Sequence, residues 1–345
     1  QDKNEIKNVM TDISFNAIDI QLRLGNLNVN KSQGPDNIHP KILKEANEVL
    51  AKPLQKIFET SFKMKQIPLD WKTADISAIF KKGNKLDVGN YRPISLTCIC
   101  CKIMESIIRD HIFKYFIDNK LFSSNQFGFI KGRSTVLQLL KVLDEWTKSL
   151  ELGGQVDVIY TDFAKAFDKV PHKRLIHKLK YYRIDPNIVE WIEAFLSSRK
   201  QRVKVNGIFS SWQSVLSGIP QGSILGPLLF IIFINDLAEM CDKESKLYLY
   251  ADDAKIFSPI CNIKDKENLQ SDLDKVNEWS NKWLLKLNIQ KCKVMSYGRD
   301  CRINSDYYLC CNDTRYNLEK LDSINDLGVI FDKNLKFDSH IDKKV

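Results

Sequence analysis

Long apolar runs are missing from this chain of 345 residues. The longest, Ile224 to Ile234, carries Gly226 and Pro227 and is too short to span a bilayer, so it reads as a buried helix. Glycine and proline are scarce, at 14 and 10 residues, which leaves no linker, low-complexity tract or internal repeat. No secretory leader pattern is found. Nine cysteines are an odd number, and the Cys-x-x-Cys within Cys98-Ile99-Cys100-Cys101 has no second pair or histidine cluster to complete a zinc site. Free thiols in a reducing, intracellular compartment are therefore expected. The sequence starts at Gln1 and stops at Lys343-Lys344-Val345 without a helix-ending signal, which reads as part of something longer.

What is present is a basic chain of ordinary globular composition, with 43% hydrophobic residues and a formal charge of +9. The charge is concentrated. Between Lys169 and Lys204 ten basic residues face three acidic ones, with Tyr181, Tyr182 and Trp191 interleaved. Cations mixed with aromatics suit a polyanion with stackable bases, and a solvated helix face gives a similar pattern. The candidate contacts there are Lys173, Arg174, Lys178, Arg199 and Arg202.

Periodicity gives the element order. A turn cluster at Ser32–Asn37 precedes a helix starting at Pro40, which Pro53 should kink or split. Thr73 to Phe80 reads as a strand, and Asn90 to Leu96 as an extended segment entering a helix. Ser134 or Thr135 caps the next helix, and Val156 to Thr161 is a strand that delivers Asp162. Two short helices, an Asn206-Gly207 hairpin and a Gly/Pro-rich loop, Ser217 to Gly222, lead into the apolar helix. A hairpin around Asp252-Asp253, a long amphipathic helix and strands near 293–297 and 327–331 follow. The pattern is α+β, with a mainly antiparallel sheet and helices on one face.

Taken alone, Asp252-Asp253 reads as a solvated turn, since adjacent carboxylates repel and Asp is a common turn residue. With Asp162 at a neighbouring strand end, three carboxylates at a sheet edge suit two divalent cations clamping an in-line phosphoryl displacement. Oxygen-only ligands suit magnesium or manganese. Three unrelated surface aspartates satisfy the spacing equally.

Eight ordered blocks carry a resemblance. Val156 to His172, around Tyr160-Thr161-Asp162-Phe163, looks like motif A of the reverse transcriptases of non-LTR (LINE-type, jockey-like) retrotransposons. Ser217-Gly218-Ile219-Pro220-Gln221-Gly222 resembles their motif B, and Tyr250-Ala251-Asp252-Asp253 their motif C. Asn90 to Leu96, Gln126-Phe127-Gly128-Phe129 with Arg133-Ser134-Thr135, and Gly34-Pro35-Asp36 resemble their fingers and N-terminal blocks. Leu287 to Lys291 and Leu327-Gly328-Val329 match motifs D and E. Asn37 replaces the Gly common after Pro-Asp.

The resemblance implies a right-hand polymerase fold with helical fingers, a palm and little thumb. The expected division is an N-terminal extension with outer fingers over 1–70, fingers over 71–154 and a palm over 155–345 with a basic insertion at about 169–215. Endonuclease and thumb segments are expected to be missing. The implied activity is RNA-directed DNA synthesis from a DNA 3′-hydroxyl, for retrotransposon replication, with RNA template, DNA primer or target and dNTPs as partners. A catalytically idle nucleic-acid-binding fragment is the alternative. Asp162, Asp252 and Asp253, with the Phe163 carbonyl, would hold two Mg2+ (or Mn2+) ions. Arg92 and Lys102 would reach the triphosphate, Phe167 would gate the sugar and Gln221 would lie against the nucleotide. Lys291 would be the candidate acid for pyrophosphate, and the site of action would be nuclear.

Overall fold

A computed structural model describes residues 8–242, 244–299, 301–311 and 313–344. In chain order, α1 (Ala17–Gly25), α2 (Pro40–Glu45) and α3 (Asn47–Met64) come first. They are followed by β1 (Thr73–Phe80), β2 (Tyr91–Leu96), α4 (Ile99–Asp118), α5 (Thr135–Glu151) and β3 (Gln155–Thr161). Then come α6 (Ala166–Lys169), α7 (His172–Tyr181), α8 (Pro186–Leu196), β4 (Arg199–Val205), β5 (Ile208–Phe209), β6 (Gln213–Val215) and α9 (Gly226–Ile234). Next are β7 (Lys246–Tyr250), β8 (Asp253–Ile260), α10 (Ile263–Trp283) and β9 (Lys293–Tyr297). The last are β10 (Tyr308–Cys311), β11 (Thr314–Asn317), β12 (Glu319–Lys320), β13 (Ser323–Asp326), β14 (Val329–Asp332) and α11 (Asp338–Asp342).

Local chemistry sets several boundaries. The Ser134 hydroxyl accepts from the Leu137 amide to start α5, and Asn262 with Asp265 forms a capping box on α10. The helix after Pro40 breaks at Ala46, ahead of Pro53, and Pro53 is carried inside α3. Pro53 denies a partner to the carbonyl four residues back, at Val49; Val49 is exposed, so water can serve that carbonyl.

The chain divides into two compact units. The first comprises residues 1–121 and 167–233. Its sheet runs β2-β1-β4-β5, with β6 also on β4; β1 and β4 are parallel, and the other pairs antiparallel. Asn206 and Gly207 both take positive φ, the geometry a two-residue hairpin turn needs. Helix α9 is apolar on every side, as a buried helix should be.

The second unit comprises residues 122–166 and 234–345. Its main sheet runs β12-β9-β3-β8-β7, with antiparallel hairpins β10-β11 and β13-β14 beside it. Buried positions follow one another along β3 instead of alternating, so both faces of the sheet are covered, where helices on one face were expected. On one face Trp146 of α5 stacks on Tyr297, 4.5 Å between ring centres, and meets Phe257 and Phe331 edge-on.

Candidate active site

The carboxylates belong to the second unit. Antiparallel pairing sets Thr161 of β3 opposite Ala254 of β8, so one more residue along both strands brings Asp162 alongside Asp253. Tyr250 pairs with Asp253, leaving Ala251-Asp252 as a two-residue turn. Ala251 is buried and takes φ of 56°, a left-handed conformation that costs a non-glycine residue about 1 kcal/mol or more.

That turn is braced from one side. The buried Gln126 amide oxygen accepts from Ala251 N at 2.9 Å and from Gly128 N at 2.7 Å. A side chain at Gly128 would strike the Ala251 backbone nitrogen, so only glycine lets the two turns meet. Arg133 donates to the carbonyls of Ser123 and Gln126, fixing the brace in turn. The Asp252-Asp253 pair is therefore not a freely solvated turn, because its Ala251 corner is held inside the protein.

Residues 286–288 close the other edge of the Asp162 segment. Ala164 N donates to Lys286 O at 2.9 Å and Asn288 N to Asp162 O at 2.7 Å. Phe163 thus sits at the non-bonded position of an antiparallel pair with Leu287, with its carbonyl on the opposite edge of the strand. Lys291 Nζ lies 3.5 Å from Asp162 Oδ2 while remaining exposed.

Electrostatically the cluster is under-compensated. Asp162 Oδ1 is buried with no hydrogen-bond partner among the described residues. The Asp253 carboxyl is pushed up to about 6, first by burial and then by the charges of Asp252, Asp326 and Asp162, although the residue still opens to solvent. Lone pairs without donors and like charges at one point are what a divalent cation would relieve, so the residues present fit one. Among the described residues no three His, Cys, Asp or Glu side chains close into a finished metal cage.

The remaining expected residues lie in the first unit. Phe167 is half-buried, its ring stacked on Phe230 at 4.3 Å. Gln221 donates from its side-chain amide to Asp168 Oδ1 at 2.8 Å, and its backbone carbonyl accepts from Ser95 N at 2.6 Å. Gly218 has φ of 88°, and a Cβ there would lie 2.5 Å from Asp168 O. The motif B loop is therefore moulded between the segment after Phe167 and β2. Arg92 is exposed on β2; Lys102 is half-buried on α4, where burial lowers its ammonium pKa.

Two of the five basic candidates do not reach the surface. Lys178 occupies the apolar stripe of α7 with Leu175, Leu179 and Tyr182, and its ammonium lies 5.4 Å from the Phe233 ring. Arg199 is buried and donates to the carbonyls of Trp71 and Phe195. Both are packing residues, while Lys173 is exposed and Arg174 and Arg202 are half-buried. Glu105 was missed. It is fully buried on α4, and its Oε2 accepts from Ile224 and Leu225 amides at the start of α9. An acid in the stripe of Cys101, Ile108 and Ile112 was the available signal.

Residues 79–331 match the family model described as reverse transcriptase (RNA-dependent DNA polymerase). Over 299 residues the chain is 31% identical to the RNA-directed DNA polymerase from mobile element jockey of Drosophila funebris, covering 83% of this chain and 31% of that protein. Identity to the probable RNA-directed DNA polymerase from transposon BS of Drosophila melanogaster is also 31%, over 77% of this chain and 30% of that protein. The Drosophila melanogaster jockey polymerase is 28% identical over 92% of this chain and 35% of its own length. The chain thus spans about a third of the curated relatives it matches.

Proposed function

Since this chain belongs to the reverse transcriptase family, we propose that it extends a DNA 3′-hydroxyl on an RNA template in the replication of a jockey-like non-LTR retrotransposon. The observation that carries this reading is the set of Asp162, Asp252 and Asp253 at the joined ends of β3, β7 and β8. Under the same reading the second unit is the palm and the first the fingers of a right-hand polymerase, and the site of action is nuclear. No helix among the described residues is long and apolar enough to cross a membrane.

Asp162, Asp252, Asp253 and the Phe163 carbonyl would hold two divalent cations, magnesium or manganese. Bound there, such ions would supply activation of the attacking 3′-hydroxyl and stabilisation of charge on the leaving pyrophosphate. Lys291 stands close enough to Asp162 to pair with it, and its exposed ammonium is the proposed proton donor to pyrophosphate. Arg92 offers a fork of donors to the triphosphate, with Lys102 in support. Phe167 is the proposed sugar gate; the stack on Phe230 restrains its ring, so a 2′-hydroxyl meets a fixed wall. Gln221, oriented by Asp168, is proposed to face the nucleotide or template. Of the basic residues, Lys173 and Arg174 are proposed as backbone contacts.

The test is primer extension. The parent should extend a DNA primer on RNA only with magnesium or manganese, and Asp252→Ala should lose at least about a hundredfold in rate. Extension surviving that substitution would sink the assignment.

A further inference from the structure

We propose that the β4-β5-β6 face of the first unit is a binding platform for single-stranded nucleic acid. The platform goes beyond the polymerase reading and does not require turnover. Along β4, Lys200, Arg202 and Lys204 alternate onto one face, and Phe209 of β5 is registered opposite Lys204. Arg202 places its guanidinium 3.8 Å from the Phe209 ring centre and 4.4 Å from that of Trp212, with Lys204 Nζ 5.0 Å from Phe209. Both rings remain about two-fifths exposed, Phe209 at 41% and Trp212 at 40%.

The arrangement is built, not accidental. Arg202 Nε donates to Asp75 Oδ1 of β1 at 2.7 Å, which fixes the guanidinium against both rings. Ser210 N donates to Val203 O, and Val203 N donates to Ser210 Oγ, so the strand carrying the rings is held against β4. Arg202 is then a spacer that orients two aromatic faces, its charge partly met by Asp75. Lys200 and Lys204 are left for phosphate.

This combination selects its ligand. Cations alone would serve any polyanion, an acidic protein included. Two large exposed rings beside them gain only from flat apolar partners, which unstacked bases supply and duplex DNA does not offer. Bases stack on the exposed faces of the two rings that the guanidinium holds, and the lysines meet the flanking phosphates.

The experiment measures binding of a short, unstructured, fluorescein-labelled oligonucleotide, as RNA and as DNA, by anisotropy on the full chain carrying Asp252→Ala, which removes turnover. Phe209→Ala and Trp212→Ala should each weaken single-strand binding about tenfold, leaving affinity for the duplex and for heparin unchanged. Trp212→Phe should keep most of the affinity, showing that a ring and not the fold is what is lost. Lys204→Gln should lower the salt slope by about 0.7. Ring variants that bind the single strand within about twofold of the parent would overturn the platform, as would equal losses for heparin. Failure of the parent chain, with Asp252 intact, to extend a primer while this binding persists would count against the polymerase reading alone.

Discussion

Asp253 shows how the site's charges are balanced. Its pKa of about 6 lies above that of an ordinary carboxylate, because burial and three neighbouring acids oppose its charge. The sign follows: the raised group supports the metal-free fold at low pH, and that support is lost as pH rises through about 6. A divalent cation reverses the penalty and competes with the proton, so the magnesium-induced rise in melting temperature should be larger at about pH 7.5 than at about pH 5. Equal shifts at both pH values, measured by differential scanning fluorimetry, would contradict it. At Phe167 the prediction is specific to sugar. Phe167→Ala should raise ribonucleotide incorporation relative to deoxyribonucleotide by about tenfold or more, and unchanged discrimination in a single-nucleotide assay would remove the gate.

Elements explain what a residue list cannot. The Asp252 turn depends on a second turn far away in sequence, through Gln126 and Gly128. Gln126→Leu leaves the Ala251 amide without its acceptor and should cost about 1–3 kcal/mol in chemical denaturation, while Gln126→Glu keeps an acceptor and should cost less. Lys255 on β8 and Asp326 at the end of β13 form a buried ion pair. Removing one partner strands the other charge, so Lys255→Met should destabilise by about 3–5 kcal/mol and Lys255→Met with Asp326→Leu by less. A double variant as unstable as the single one would show that the pair is not coupled. The hairpins and strand ends were legible in the sequence because they follow local rules: Asn206-Gly207 at a turn, Ser134 before an apolar stripe, and a run of strand-forming residues leading into Asp162. The brace by Gln126 was not, since a buried amide binding a backbone 125 residues away leaves no local pattern. Lys178 was misread for the opposite reason. Its composition said surface, but its spacing from Leu175 and Tyr182 placed it on the buried stripe.

At the scale of the whole molecule, the chain passes between its two units more than once, because residues 122–166 join the second unit and 167–233 return to the first. Composition and periodicity carry no information on that crossing, which is why the linear division at about 70 and 154 does not coincide with these units. The helix over Thr135–Glu151, expected among the fingers, packs Trp146 against the sheet that bears the aspartates. The ordered blocks, by contrast, were legible from sequence, and the family match over 79–331 covers seven of the eight. The central claim is that the three aspartates perform metal-dependent nucleotidyl transfer. Its most direct test is single-turnover incorporation of one dNTP onto a DNA primer annealed to RNA, titrated with magnesium, for the parent and for Asp162→Asn. The account predicts saturable magnesium dependence in the parent and loss of at least about two orders of magnitude in Asp162→Asn, with primer–template binding retained. Incorporation by Asp162→Asn at the parental rate and magnesium dependence would contradict it.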